Sequence, residues 1–197
     1  MPEPAILILA AGAATRMRGG DKLLELIDGE ALLTRIARAA LATGWSVTVA
    51  LPPDRPGRGA ALAGLNLRAV TVPDPGPGMA ASLVAGLRAM PAGPVMLLLA
   101  DLPEITADDL IQMVRAHQDA PELIHRGTAA DGTPGHPVIF PGWTRPELLR
   151  LEGDQGARAV IRQHSDRLRL TALPGAHATT DLDTPEAWAE WRALRGE

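Results

Sequence analysis

Residues 5–17 read Ala5-Ile6-Leu7-Ile8-Leu9-Ala10-Ala11-Gly12-Ala13-Ala14-Thr15-Arg16-Met17. The unbroken apolar run from Ala5 to Ala10 is what a strand covered on both faces looks like. Gly12 breaks it, and only small residues follow before the first cation. Downstream, Leu32, Leu33, Ile36, Ala40 and Leu41 recur at helical spacing with Arg35 and Arg38 between them, predicting a helix over 31–41 that ends near Gly44. Asp28-Gly29 marks a turn before it. Strands are predicted at Trp45 to Leu51 and Leu67 to Val72, with a loop over Pro52 to Gly59 and another over Pro73 to Gly78.

A helix from about Met79 to Met90 leads to Val95-Met96-Leu97-Leu98-Leu99-Ala100, the clearest buried strand of the chain, which stops at Asp101. Thr106 is placed to cap the next helix. Leu123 to His125 and Pro137 to Phe140 read as strands around a loop over 129–135. Short helices follow near Pro146 to Leu151 and Gly156 to His164, then a strand over Leu168 to Leu173 and a last helix opening at Thr184-Pro185-Glu186. Trp188 and Trp191, three apart on it, read as packing anchors. Alternating strands and helices predict one three-layer α/β sandwich over residues 1–197, with a mostly parallel sheet and an antiparallel excursion around 123–140. Ligands gather at the carboxyl ends of strands in such sheets, which directs attention to the residues after Leu9, Val72, Ala100 and Phe140.

Composition narrows the function classes. The 197 residues carry 19 Lys and Arg against 23 Asp and Glu, a net charge of −4, the wrong sign for a general nucleic-acid binder. Aromatic residues are 3% of the chain, too few for a base-stacking platform. No cysteine is present, which excludes disulfides, thiolate metal sites and cysteine nucleophiles. His117, His125, His164 and His177 show no zinc-ligand spacing. No apolar run approaches the roughly 20 residues of a membrane span, and the N-terminus has no basic n-region, so a cytoplasmic protein is expected.

The small-residue loop after the first strand is followed by Gly19-Gly20-Asp21-Lys22-Leu23-Leu24. Backbone N–H groups of small residues can approach a phosphate while Arg16 and Lys22 neutralise it. The alternative is a tight strand-to-helix turn with solvated charges. The Walker A pattern is absent, since Leu rather than Ser or Thr follows Lys22, and Gly12 lacks the partner glycines of a dinucleotide fingerprint.

Leu9-Ala10-Ala11-Gly12, three residues, Arg16-Met17, then Lys22-Leu23-Leu24 resembles the signature loop of the MobA-like nucleotidyltransferases. Within them it is most similar to the molybdenum cofactor cytidylyltransferases. Further pieces fall in the same order: Gly78-Met79-Ala80-Ala81-Ser82-Leu83, Leu99-Ala100-Asp101-Leu102-Pro103, Gly135-His136-Pro137-Val138, Gly153-Asp154-Gln155-Gly156-Ala157-Arg158 and Asp181-Leu182-Asp183-Thr184-Pro185-Glu186. The resemblance implies a Rossmann-like nucleotidyltransferase fold. It also implies a Mg²⁺-dependent reaction, in which the phosphate of a molybdopterin-type acceptor attacks the α-phosphorus of a nucleoside triphosphate and pyrophosphate leaves. The nucleophile is already an anion, so charge neutralisation and positioning carry catalysis.

Residue roles follow from the same resemblance. Arg16 and Lys22 would hold the triphosphate, and Asp101 would be the first metal ligand. Asp183 would be the second ligand, or else a helix cap completed by Glu186, with Asp181 the weaker choice. Leu9, Ala10, Ala11 and Gly12 would flank the nucleotide on one side, and Gly78, Met79 and Ser82 on the other. His136, Asp154 and Arg158 would meet the acceptor. Relatives that use GTP usually carry a second Gly where this chain has Ala11. A methyl there would take space a purine needs, so CTP is expected. A molybdoenzyme would be the client, with no nucleic-acid or membrane partner. Rival readings are a sugar-phosphate or other small phosphate acceptor, or a non-catalytic carrier of the pterin cofactor.

Overall fold

The computed structural model describes residues 4–12, 15–73, 79–153 and 156–196. β1 (Ala5–Leu9) is buried along its whole length and is an inner strand of a seven-stranded sheet. β4 (Val47–Leu51) and β6 (Val95–Leu99) flank it in parallel, with Leu9 level with both Ala50 and Leu99. β5 (Arg68–Thr71) extends the sheet beside β4. On the other side come β8 (Pro134–Phe140), β7 (Ile124–Thr128) and β9 (Leu168–Ala172), giving the order β5-β4-β1-β6-β8-β7-β9. A two-residue turn at Asp28-Gly29 joins β2 (Leu26–Ile27) and β3 (Glu30–Ala31); both turn residues have positive φ, 52° and 80°, the backbone that suits a tight hairpin.

The period of two along the strands divides the core between the sheet's faces. Ile6, Ile8, Val49, Met96 and Leu98 pack under α1 (Leu32–Leu41), α4 (Ala107–Asp119) and α7 (Pro185–Arg195). Leu7, Leu9, Val95, Leu97 and Phe140 pack under α3 (Ala80–Ala89), α5 (Arg145–Leu148) and α6 (Arg158–Gln163). The three-layer sandwich is therefore present. Thr106 caps α4 in a reciprocal box with Asp109. Trp188 and Trp191 are buried edge to face at 5.9 Å, anchoring α7. Among the described residues no helix is long and apolar enough to cross a membrane.

Two expectations need correction. The stretch over Pro52 to Gly59 is not all loop, because α2 (Pro56–Ala61) begins inside it with Pro at its first turn. Its two glycines hid the helix, which is held by the burial of Arg58 rather than by propensity. The other concerns Phe140. β8 runs antiparallel to both β6 and β7, so its carboxyl end lies at the edge opposite the ends of β1 and β6. The start of β8 is what reaches the functional edge. The register Leu97 to Val138 carried two residues on sets His136 beside the end of β6.

Gly135 lies at this start, and the next residue's N–H donates to the carbonyl of Ala178 at 2.9 Å. A Cβ on Gly135 would fall 1.9 Å from that carbonyl oxygen, which is backbone and cannot step aside. Gly135→Ala is expected to cost about 3 kcal/mol or more, the upper range for overpacking. For a domain of this size that lowers the melting temperature by about 6–12 °C. Calorimetry checks this; a shift of a degree or less would mean that the segment at 178 yields freely.

Candidate active site

The site is assembled at the carboxyl edge of β1 and β6. As the chain leaves β1, Leu9, Ala10 and Ala11 are buried and Gly12 is exposed, with open space where a side chain would begin. A 3₁₀ turn at Thr15–Met17 buries Met17 in the core and leaves Arg16 outside, ion-paired with Asp183. A second 3₁₀ turn, Lys22–Leu24, is capped by Asp21, whose carboxylate accepts from the Leu23 N–H at 3.1 Å.

Arg58 of α2 connects these pieces. Its side chain is wholly buried. Nε and Nη2 donate to the two oxygens of Asp21 at 2.8 and 3.0 Å, and Nη1 donates to the carbonyls of Ala10 and Gly12 at 2.6 and 2.9 Å. One guanidinium thus fixes the exit of β1 and the entry to the Lys22 turn. Nothing in the sequence singled out Arg58, because its partners are up to 48 residues away.

Lys22 occupies the centre. Its Nζ lies 2.5 Å from Asp101 Oδ2, 2.5 Å from Asp183 Oδ1 and 3.3 Å from Asp181 Oδ1. Burial alone would lower the Lys22 pKa, but Asp101 first, and then Asp183 and Asp181, reverse this and push it well above the ordinary lysine value. The Asp181 carboxyl is pushed up, by burial and by the negative charge of Asp101. Asp101 stands two residues past the end of β6, and its Oδ1 is buried with no hydrogen-bond partner among the described residues. Asp183 is not the cap of α7. Thr184 does that, accepting from the Ala187 N–H at 3.2 Å, while Glu186 pairs with Arg18 at 2.6 Å. A side chain freed from capping is available to the cluster.

Ligand oxygens of Asp101, Asp181 and Asp183 lie within 4.8 Å of one another. Three hard carboxylates, one with a buried unpartnered oxygen, fit a small divalent cation such as Mg²⁺ or Mn²⁺. Such an ion would neutralise phosphate oxygens brought against this edge.

The other candidate residues fall in three places. Ala11 is buried among Leu9, Ala50, Val72 and Ala80, so its methyl packs in the core. A Gly here would leave a void in the core, and little of the methyl is open to a base. Ser82 is only 4% exposed within α3, which leaves little of it for a ligand to touch, whereas Met79 is exposed. His136 and Arg158 border one narrow gap together with Met79. His136 Nδ1 is buried without a partner among the described residues, and burial lowers its pKa to about 4. Gly78 and Asp154 lie outside the described residues.

With this geometry in hand, sequence comparison decides the family. The MobA-like NTP transferase domain matches residues 6–168. The chain belongs to the MobA-like NTP transferases. Among curated relatives, a probable molybdenum cofactor guanylyltransferase of Synechococcus elongatus is 34% identical over 146 residues, 73% of each chain. The bifunctional protein GlmU of Leifsonia xyli is 30% identical over 168 residues, 82% of this chain but 32% of that protein, so the chain spans about a third of this longer relative. Among solved structures, Rv0371c of Mycobacterium tuberculosis H37Rv is 27% identical with a TM-score of 0.81, covering 95% of this chain and 97% of that one. A manganese complex of the same protein superposes with a TM-score of 0.74 at 26% identity, covering 96% of this chain and 97% of that one. This MobA-like chain is thus a nucleotidyltransferase by family, with its sheet edge arranged as described.

Two measurements test the electrostatics. Arg58→Met takes the buried cation from Asp21 and leaves it the Leu23 N–H and the longer contact to Arg55 at 3.8 Å, which is expected to cost about 3–5 kcal/mol in urea unfolding. Adding Asp21→Asn should recover part of that loss; no recovery would mean that the two carbonyl contacts, not the ion pair, dominate. The second is pH. The pKa values of His117 and His136 are lowered to about 4 by burial, and that of His125 is lowered for the same reason. Between the ordinary histidine value of 6.5 and about 4 the unfolded chain binds protons that the folded one refuses. Stability should therefore fall as pH drops through that window and level off below it. A urea midpoint that stays flat from pH 6.5 to 4.5 would contradict the burial of these rings as neutral groups.

Proposed function

We propose that the protein transfers a nucleoside monophosphate from a nucleoside triphosphate, CTP in the first instance, to the phosphate of a molybdopterin-type acceptor. The observation that carries this is Lys22 seated among Asp101, Asp181 and Asp183 beside the Leu9–Gly12 turn in a MobA-like chain. An acceptor phosphate oxygen forms the new bond to the α-phosphorus, the α–β phosphoanhydride bond breaks, and pyrophosphate leaves with the electron pair. The attacking oxygen is already anionic and needs no general base. Lys22 and Arg16 supply positive charge for the departing pyrophosphate, and Gly12, open to solvent, lets the nucleotide approach the backbone. Asp101, Asp183 and Asp181 would hold Mg²⁺, which screens the phosphate oxygens. The product, a dinucleotide form of the cofactor, would pass to a molybdoenzyme client.

The preference for CTP rests on the resemblance of the Leu9–Leu24 loop to cytidylyltransferases. A second reading, GTP with the same chemistry, is favoured by the curated relatives that bear the name molybdenum cofactor guanylyltransferase. Base choice then comes from the backbone path of the loop and from residues near Met79, since the methyl of Ala11 is buried.

The test is pyrophosphate release with CTP and GTP in competition, Mg²⁺ present, and molybdopterin or a sugar phosphate as acceptor. Release with CTP and molybdopterin is expected. A preference for GTP selects the second reading, turnover only with a sugar phosphate changes the acceptor, and no release with any nucleotide leaves a carrier. Asp101→Ala should abolish turnover while the fold survives. Lys22→Ala should slow it by roughly 10²–10³-fold, the scale for losing one preorganised charge-stabilising group. Lys22→Arg should rescue it only partly, because a planar fork does not fill a point-charge site.

A further inference from the structure

Asp181 and Asp183 stand on residues 173–184, which join β9 to α7 without helix or strand. An irregular stretch keeps one geometry only where other elements tie it down. Asp101 comes from elsewhere, the connection between β6 and α4. The spacing of the three carboxylates is therefore set by whatever joins these two stretches.

Glu104 joins them. It lies in the turn that follows Asp101, where the Ile105 N–H donates to the Leu102 carbonyl at 3.3 Å. Its Oε2 accepts from the Thr180 hydroxyl at 2.9 Å, and its Oε1 accepts from the Trp191 indole N–H at 3.1 Å. Thr180 immediately precedes Asp181, and Trp191 belongs to the helix that opens after Asp183. Both ends of the stretch 180–191, which carries the two aspartates, thus close onto one side chain. Between those ends the Trp188 indole N–H donates to the Leu182 carbonyl at 3.1 Å, so the residue between the aspartates is held as well. Trp191 is buried and packs edge to face on Trp188, which makes it a rigid post for Glu104. Among the described residues no cation pairs with Glu104; both of its partners are neutral donors. A carboxylate has two acceptor oxygens in one plane, so it can hold donors from two elements at once.

We infer that Glu104 is a positioning residue: by bonding Thr180 and Trp191 together it sets the distance between Asp101 and the Asp181–Asp183 pair, and so the width of the site for a divalent cation. It is not one of the converging carboxylates, which among the described residues are Asp101, Asp181 and Asp183. The inference rests on the proposed metal-dependent nucleotidyl transfer and adds to it a residue that resemblance did not mark. Supports of this kind behind metal ligands typically govern affinity by about 10–100-fold.

The experiment is titration of Mn²⁺ into the full chain, read by loss of the free-ion electron paramagnetic resonance signal, with a melting curve for each variant. Glu104→Ala is expected to weaken Mn²⁺ binding about tenfold or more. Thr180→Val removes the hydroxyl and keeps the shape. It should weaken binding in the same direction, and the double variant no further than Glu104→Ala alone, because both break one link. Glu104→Gln should stay close to the wild type. Its oxygen can accept from Trp191 while its NH₂ donates to the Thr180 hydroxyl, which still donates to the Ala176 carbonyl. An alanine variant that melts lower but binds Mn²⁺ like the wild type overturns the inference, since the role is then structural only. A glutamine variant as weak as the alanine one also overturns it, since charge rather than geometry then sets affinity. Thr180→Val carries the test if Glu104→Ala does not fold, and unchanged Mn²⁺ affinity in it is equally decisive against the link. Absence of Mn²⁺ binding by the wild type counts instead against the metal reading of the cluster. Amide hydrogen exchange then decides the positioning role. Faster exchange over 177–184 in Glu104→Ala or Thr180→Val, with 5–9 and 95–99 unchanged, is expected; unchanged exchange over 177–184 removes the role.

Discussion

A guanidinium with no access to water has to find all its partners inside the protein, and that requirement on Arg58 organises the functional edge. Asp21 takes two of its donors, and the carbonyls of Ala10 and Gly12 take a third. An unpaired charge at this depth would cost several kcal/mol, so the three segments that meet at Arg58 cannot drift apart independently. The exit of β1, the turn that presents Lys22 and the short helix α2 are thereby fixed to one another. Asp21 serves twice, since it also caps the turn on which Lys22 stands.

Charge balance at the centre has the same character. Three carboxylates converge on one ammonium, with Arg16 joining Asp183 from outside. Two cations against three anions leave a deficit of positive charge, which adds to burial in raising the Asp181 carboxyl. A divalent cation and a triphosphate together bring the opposite charges that such a site can redistribute.

The antiparallel strand β8 brings a further segment to this edge. Had it run parallel to β6, its first residues would lie at the far edge, away from Asp101. Running the other way, it brings Gly135 and His136 to the carboxyl ends of β1 and β6 and lets the carbonyls of Pro134 and Gly135 hold Arg126. The close approach of the Ala178 carbonyl to Gly135 pins that start against the segment leading to Asp181 and Asp183.

Much of this was legible in the amino-acid order. The unbroken apolar runs at 5–10 and 95–100 determine strands buried on both faces, because an unbroken run offers no polar face to water. The alternation with helical stretches determines the layered sandwich. Loop chemistry marked Arg16, Lys22 and Asp101, and resemblance marked Asp183, His136 and Arg158. Other features were invisible for a physical reason. Arg58 and Arg126 owe their settings to carbonyls and charges brought close only by folding, and no local pattern distinguishes a buried arginine from a solvated one. The burial of Ala11 and Ser82, and the rank of Asp181 beside Asp101 and Asp183, are likewise matters of which face a residue presents once the layers close. Sequence determines periodicity and chemical type; only the packed structure decides which charges must share a space with too little water to screen them.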